Sequence, residues 1–597
     1  MTLYNYTLNG AALWLMGFGL IPALLALFTA RSVHDKKTHY YWLFSAFITL
    51  LGTVGVFGLQ NAIAFFIAWE LMSFGVAAML LIENKNAESG SAVLFMLGIL
   101  EVGAIALILA FLLLSDHGSN FSFSNFSIYA QTLSNHEQLG IGILLLIGFG
   151  AKLGLLPFYE WLPKAYASGT GATGAISSGI VLNAAFFGLM RGLIAWLPAS
   201  NTITLGVIVV IISVFTAILT ILNAFQQLEW PKLLSFSSAE NASISVMLLG
   251  VALLFQQANQ HNLASLAGIV ALIHLAGHSL AKGALFIAAD GVYCSEKNYL
   301  IAQNGLLKKF GILFGIGALF GAMSLCAMPP QIGFVSEWFM FQTLFHGFYL
   351  QDLSARLTLI FAGVGMALTA AIALATFVKV LGVGLLGIDN KPSNPISFTI
   401  KIAVFILGLC ILFFSAGLFY WINALQLIAI KWFQFNSPVV MHHGLLLVPL
   451  SAHFAFISPT LLIIFTPLLA LIPIGFIIFN CRTKIKRAKI WNGGLQHDHN
   501  TATTSLTFSN ALRYFYRFVY LPKHEVKREY RGKPYFLKRV SFHQETTPIF
   551  TKYFFNPVIS FVNSLSNKVR LFQSGNLNFY NAVIGILFIL ILLSVLF

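Results

Sequence analysis

The chain has 597 residues, of which 58% are hydrophobic and only 9% charged, and its mean hydropathy is +0.84. A soluble globular protein carries roughly 25% charged residues, so a soluble enzyme and a disordered chain are excluded. Long apolar runs also exclude an outer-membrane barrel, whose strands are alternating segments of ~10 residues. The formal net charge of +15 therefore belongs to an all-α polytopic membrane protein, in which each helical span takes ~20 apolar residues.

The N-terminal sequence MTLYNYTLNGAALW lacks the basic n-region of a cleaved signal peptide, so the first apolar run reads as a retained span. About 14 spans follow in chain order: 11–30, 41–58, 60–82, 91–114, 139–163, 172–196, 203–225, 231–255, 264–290, 311–348, 356–386, 399–421, 460–480 and 577–597. The spans at 139–163 and 311–348 contain Pro–Gly chemistry and read as broken helices. The expected organisation is N-terminal spans over 1–58, a first five-helix repeat over 41–196 and a second over 203–386. C-terminal spans over 399–480, a basic loop over 481–574 and a last helix over 577–597 complete it.

The basic residues test this layout. Of the 34 Lys and Arg, 28 fall in loops on one side: Arg31, Lys36, Lys37, Lys85, Lys164, Lys232, Lys297, Lys308, Lys309, Lys391, Lys401 and the 17 of segment 481–574. Only Arg356 and Lys431 fall on the other, and Lys152, Arg191, Lys282 and Lys379 lie inside spans. The positive-inside rule then places 481–574 in the cytoplasm and both termini outside, in a cell inner (plasma) membrane. Segment 481–574 interleaves cations with aromatics, as in Tyr514–Phe515–Tyr516–Arg517. Flanked by two spans, it reads as a loop lying on anionic lipid or a partner subunit rather than as a nucleic-acid site.

The four cysteines, Cys294, Cys326, Cys410 and Cys481, form no CxxC pair. No iron–sulfur or zinc framework is therefore legible, and no cofactor is expected in this chain. Glycine pairs such as Gly148-x-Gly150 follow no strand and read as close helix packing, as does GTGATGAISSG at 169–179.

An ionisable group at mid-span costs about 2.5–3.5 kcal/mol on insertion scales, so each one asks for a reason. Glu70, Glu101, Lys152, His274, His278, Lys282, Glu337 and Lys379 are such groups. His274, His278 and Lys282 are spaced four apart and share one helix face. That stripe fits a proton relay, a polar helix seam or, less well for want of a carboxylate at ligand spacing, a metal site. Glu70 and Lys152 are opposite charges on different spans and fit either a structural ion pair or a transport pair. Lys379 lies near a helix end, where it can snorkel, and Arg191 reads as an outer anchor. Lys232, Glu240, Glu101 and Lys379 are accessory candidates.

The two breaks share a pattern. Lys152 is followed by Gly154, Pro157 and Pro163, and Glu337 is preceded by Pro329, Pro330 and Gly333. Non-helical backbone at membrane depth is tolerated only inside protein or along a wet cavity. Discontinuous helices at matching places in two halves point to an ion path in an inverted-repeat transporter.

The segments AWELMS, FGAKLGLLPFYEWLPKA, PKLLSFSSAEN, HLAGHSLAKGALFIAADG and MPPQIGFVSEW resemble, in order over residues 60–380, the antiporter-like membrane subunits of complex I, related hydrogenases and Mrp-type cation/proton antiporters. SAEN at 238–241, GFVSEW at 333–338 and the C-terminal extension with WNGG at 491–494 and LFQSGNLNFY are similar to the hydrogenase-4 branch. The resemblance implies two inverted five-helix repeats and proton translocation driven by redox chemistry in partner subunits. In it the residue matching Glu70 pairs with that matching Lys152, His278 belongs to the central polar axis, and Glu337 matches the exit-side Lys or Glu. Four departures stand out. Asn183 occupies the position usually held by a lysine, the loop AYASGTGATG has no histidine, Glu101 falls where relatives are uncharged or have His, and the chain begins two spans late.

The expected function is thus a proton-translocating subunit of a redox complex of the NADH:quinone oxidoreductase or hydrogenase type, acting through Glu70, Lys152, His274, His278, Lys282 and Glu337. Its expected partners are the lipid bilayer and other membrane and peripheral subunits, with redox cofactors in the latter. Two alternatives stay open: a cation/proton antiporter or inorganic-carbon uptake subunit moving Na⁺ or K⁺, and a non-conducting membrane scaffold.

Overall fold

The computed structural model describes residues 5–83, 87–116, 118–198, 203–302, 305–387, 394–442, 446–449, 457–480, 494, 502–531, 535–571 and 577–596. Lys85, Lys391, Cys481 and residues 491–493 of WNGG lie outside the described residues, as does most of 481–501. Chain contacts divide it into two units, Met1–Phe515 and Tyr516–Phe597.

The first unit is helical. Its helices are α1 (Gly10–Thr29), α2 (Lys36–Gly58), α3 (Ala62–Glu83), α4 (Ala87–Leu114), α5 (Phe123–Tyr129), α6 (Asn135–Leu153), α7 (Trp161–Ala167), α8 (Gly171–Ile176), α9 (Leu182–Met190) and α10 (Ile203–Gln226). They continue with α11 (Trp230–Gln257), α12 (His261–Glu296), α13 (Leu306–Phe310), α14 (Ile312–Leu325), α15 (Ile332–Phe345), α16 (Leu353–Lys379), α17 (Phe398–Ala416), α18 (Leu418–Phe433), α19 (Pro459–Asn480) and α20 (Ser505–Phe515). A short antiparallel ladder, β1 (Val439–His442) with β2 (Leu446–Pro449), precedes α19. Twelve helical stretches among the described residues are long and apolar enough to cross a membrane. The chain is therefore a polytopic membrane protein.

Two helices form the centre. The apolar windows of α11 and α12 are buried throughout, whereas those of α1, α4 and α16 are about half covered. A helix covered on every side has no face to give to lipid, so α11 and α12 can carry polar groups that a peripheral helix cannot. α12 runs 36 residues without interruption and packs against α1, α8, α11, α14, α15, α17 and α18.

Both expected breaks are present. α6 starts on a capping box between Ser134 and Glu137 and ends at Gly154, whose φ of 75° is left-handed. Pro157 and a 3₁₀ turn over Phe158–Glu160 separate it from α7. The span expected at 311–348 is α14 and α15, parted by Cys326–Gln331 around Pro329 and Pro330. The opened backbone is satisfied by neighbours, as membrane depth requires. Leu156 N–H donates to Thr216 Oγ1 at 3.0 Å, Trp161 Nε1 donates to Ala151 O at 2.9 Å, and Ser415 Oγ donates to Pro330 O at 2.6 Å. A Cβ at Gly333 would stand 1.7 Å from Ser324 O, so only glycine lets α15 begin against the end of α14.

The single span expected at 399–421 is two helices. α17 stops at Gly417, and α18, 16 residues long, turns Leu418, Ile422, Leu425 and Ile428 inward. Ile428 reaches Gly10 at the start of α1, and Phe433 reaches Gly268 near the start of α12. Trp421 packs on Trp14 and Phe18, so α18 runs alongside the first turns of α1. The unbroken apolar run through Gly417 hid the turn.

Lys379 does not snorkel. It is 0% exposed, and its Nζ donates to Phe225 O, to Gln227 O at 2.8 Å and to Ser509 Oγ at 3.3 Å. Ser509 Oγ also donates to Phe225 O, and Arg513 Nε donates to Gln226 Oε1 at 2.8 Å. The amine therefore closes the open carbonyls at the end of α10 and ties α20 onto them. Arg191, expected as an anchor, likewise donates to Phe57 O and Leu59 O at the end of α2.

The second unit contains α21 (Arg517–Tyr520), an antiparallel hairpin of β3 (Lys523–Tyr530) and β4 (Leu537–Glu545), α22 (Asn556–Leu571) and the apolar α23 (Leu577–Leu596).

Gly333→Ala is expected to destabilise the protein by about 1–3 kcal/mol, the cost of forcing atoms into a packed contact, seen as a lower melting temperature in detergent. Lys379→Met leaves the part-buried Gln227 carbonyl without its donor, and Phe225 O with only that of Ser509, a loss of about 1–3 kcal/mol. It should speed protease cleavage within 502–515; an unchanged cleavage rate would contradict the tie.

Candidate functional site

The candidate site consists of two polar clusters, one at the first helix break and one where α12 meets α11 and α15.

At the first break, Lys152 sits on the last turn of α6 and is 5% exposed. Its Nζ donates to Ser73 Oγ at 2.6 Å and to Trp69 O at 3.3 Å, and stands 3.7 Å from the centroid of the Trp69 ring. Phe149 meets Trp69 edge-on at 5.2 Å and fixes that ring. Glu70 is half-buried on α3 and feels the charges of Lys152 and Glu101. Its carboxylate is not within ion-pair distance of Lys152, so the amine is held by a hydroxyl, a carbonyl and an indole face. A desolvated cation over an aromatic ring gains about 2 kcal/mol, which lets Lys152 stay buried without a bonded anion. Glu101 is exposed at the middle of α4.

At the second break, the stripe on α12 meets α11 and α15. His274 Nδ1 lies 3.1 Å from Ser336 Oγ, next to Glu337 on α15. Lys282, 0% exposed, donates to Leu234 O at 2.9 Å and feels the charge of Glu240. Glu240 on α11 accepts from Ser237 Oγ at 3.3 Å and from Asn241 Nδ2, and also feels Glu337. Glu240, Lys282 and Glu337 are all buried, and Glu240 feels the charges of the other two. Metal-like sets of three His, Cys, Asp or Glu are absent among the described residues.

Several buried polar atoms lack a protein partner: His274 Nε2, both ring nitrogens of His278, Ser177 Oγ, Ser245 Oγ and the side-chain amide of Gln331. Buried polar groups are nearly always hydrogen-bonded, and internal water is what usually serves those that protein does not. Ser177 opens a π-helical stretch, Ser177–Val181, between α8 and α9. Such bulges cluster at functional places in helices.

Asn183 differs in kind. Its Nδ2 donates to Leu15 O at 2.8 Å and its Oδ1 accepts from Ser279 Oγ at 3.0 Å, so the amide ties α9 to α1 and α12. Lys232 lies apart from both clusters, bound to Glu229 at 3.1 Å with both side chains partly exposed. Pairs of that kind are worth about 0–1 kcal/mol.

Three titratable groups escaped the sequence reading. Asp290 on α12 is 0% exposed and accepts from Gly171 N–H (2.6 Å), Ala172 N–H (2.8 Å) and Tyr299 OH (3.2 Å). Glu83 accepts from Thr170 N–H, Thr170 Oγ1 and Thr173 Oγ1, and pairs with His34 Nε2 at 2.9 Å. Asp290 continues the spacing of 274, 278 and 282 by two further turns, a signal present in the sequence. Glu83 and His34 lie at helix ends, where polar residues are ordinary and carry no such signal.

The family profile described as NADH:quinone oxidoreductase/Mrp antiporter, transmembrane, matches residues 59–377. The chain is 24% identical over 561 residues to hydrogenase-4 component B of Escherichia coli (strain K12), an alignment covering 92% of this chain and 82% of that one. Its fold is similar to a chain of the membrane-bound sulfane sulfur reductase, an archaeal respiratory membrane complex, with TM-score 0.73 and 19% identity, covering 99% of this chain and 89% of that chain. It is also similar to a chain of respiratory complex I from Thermus thermophilus, with TM-score 0.59 and 16% identity over 72% of this chain and 85% of that one. With more than half its length inside the matched region and both helix breaks within it, the chain belongs to the NADH:quinone oxidoreductase/Mrp antiporter transmembrane family.

Proposed function

We propose that this chain is the proton-translocating membrane subunit of a redox-driven complex of the complex I or group 4 hydrogenase kind, with the redox cofactors in partner subunits. The observation that carries the reading is the pairing of each helix break with buried titratable groups. Lys152 stands at the first, and Glu240, Lys282 and Glu337 gather at the second, with the unpartnered nitrogens of His274 and His278 on the helix between.

In this reading residues 41–196 and 203–386 are the two five-helix repeats. The positive-inside rule puts the basic loops and 481–574 in the cytoplasm of a plasma membrane, with both termini outside. The half-buried Glu70 is the receiving end: a charge moved in a neighbouring subunit changes the Coulomb energy of the protonated Lys152 amine. Because that amine is held by neutral groups, its proton can leave without breaking a salt bridge. Side chains and water pass it along the α12 stripe to Glu240 and Glu337. Against a membrane potential each transferred charge costs about 2.3 kcal/mol per 100 mV, and the redox step in the partners supplies that energy.

The closed amide of Asn183 favours a second reading, a membrane scaffold that holds a peripheral enzyme without conducting. The two readings separate in proteoliposomes carrying the whole complex. Lys152→Ala and Glu337→Gln should each lower redox-driven proton uptake by on the order of a hundredfold, the range seen when a proton-transferring group is lost, with the complex still assembled. Wild-type uptake in both variants would leave the scaffold. Proton flux on an imposed pH gradient, with no electron donor present, would instead mark a cation/proton antiporter.

A further inference from the structure

The helix that carries the relay also carries Asp290, eight residues beyond Lys282 and rotated from it by roughly 80°. That separation is about 12 Å along the axis at 1.5 Å per residue. Phe286, 0% exposed, stands midway. Its ring packs edge-on to Tyr166 at 5.7 Å and fills the space above Gly174. A Cβ on Gly171 would meet Phe286 O at 1.9 Å and Asp290 Cγ at 2.9 Å, so glycine is what brings Asp290 to this chain turn.

On its other side Asp290 faces the chain turn that Glu83, at the end of α3, also holds. Glu83 takes the Thr170 N–H at 2.9 Å, and Asp290 takes the next amide, that of Gly171. The two carboxyls are thus neighbours across one peptide unit, and Asp290 feels the charge of Glu83. The Thr170 and Thr173 hydroxyls both donate to Glu83 Oε1. His34 is 4% exposed and places one ring nitrogen on Glu83, while its other, Nδ1, is buried without a partner. The His39 ring lies 6.4 Å from the His34 ring, with its own Nδ1 unpartnered. An imidazole with one nitrogen bonded to a carboxylate and the other open can take a proton at one nitrogen and release one at the other. Among the described residues, the other charged or titratable groups beside this cluster are Arg31, Tyr40, Tyr293, Cys294, Lys297 and Tyr299.

We propose that His39, His34, Glu83 and Asp290 form the port through which protons enter the α12 stripe from the side of the basic loops, and that Phe286 is the dry step between port and stripe. This rests on the proton-translocating reading above. A proton binds His34 Nδ1 while the proton on Nε2 passes to Glu83. Exchange through the threonine hydroxyls or water carries it to Asp290. It then crosses to Lys282 only when the Phe286 ring moves aside and water spans the gap.

The test uses the whole complex in proteoliposomes, with uptake measured per assembled complex across a range of pH on the basic-loop side. Glu83→Gln and Asp290→Asn should lower uptake several-fold, and His34→Gln should move the pH at which uptake is half-maximal. Phe286→Ser should raise passive proton leak with no electron donor present, a gain that a misfolded or purely structural variant does not give. Variants that assemble poorly but keep the wild-type pH profile per complex, together with an unchanged leak in Phe286→Ser, would overturn the port. Lys152→Ala serves as the reference: if it too pumps normally, the transport reading itself falls, and if it alone is dead, only the port does.

Discussion

A charged or hydrogen-bonding group inside the apolar body of this protein must find a partner there, because lipid offers none. Everything else in the structure follows from how that demand is met. Some groups meet it completely. Arg191 and Lys379 cover the open carbonyls at the ends of α2 and α10, and Asn183 uses both halves of its amide across three helices. These groups hold helices together. Others meet it in part: Lys152 leans on a ring and two oxygens, and His278 has neither nitrogen bonded to protein. A partly satisfied group can change protonation without dismantling the fold, so the distinction between tie and relay is written in the hydrogen bonds rather than in the residue types.

The helix breaks are where that difference is produced. In an uninterrupted helix Lys152 would be flanked on both sides by closed backbone. Here α6 stops at Leu153, so Lys152 occupies a last turn whose carbonyls are no longer all engaged. Glu337 stands in the second turn of α15, just past Pro330 and Gly333. Both groups are therefore set at points where the regular ladder has stopped and polar backbone is at hand. By contrast α12 is unbroken for 36 residues, and its stripe is carried on regular helix throughout.

Much of this was legible in the sequence. The apolar runs marked most spans, because a run of ~20 residues has little other use, and Pro157, Pro329 and Gly333 marked both interruptions. The stripe at 274, 278 and 282 could be read from spacing alone. What stayed hidden depended on three-dimensional neighbours. Lys379 near a helix end looks the same whether it reaches for the interface or for Phe225 O, and the partner that decides, Ser509, is 130 residues away. Glu70 and Lys152 looked like an ion pair because their signs are opposite, yet Ser73, one turn along from Glu70, supplies the contact. The division of 399–421 into α17 and α18 turned on Gly417, a residue no different in sequence from the glycines that packing alone explains.

Asn183 brings these threads together. An amide bonded at both ends contributes nothing to charge movement, and its neighbour Ser279 is on α12, one residue from His278. Asn183 thus serves to pin α12 to α1 and α9. Within the transport reading, the titratable groups of the middle are then confined to α12 and to Glu240 facing it from α11. In that reading a helix unbroken for 36 residues offers no backbone break of its own, so the polar groups beside the two interrupted spans and internal water are what link its stripe to the rest of the path.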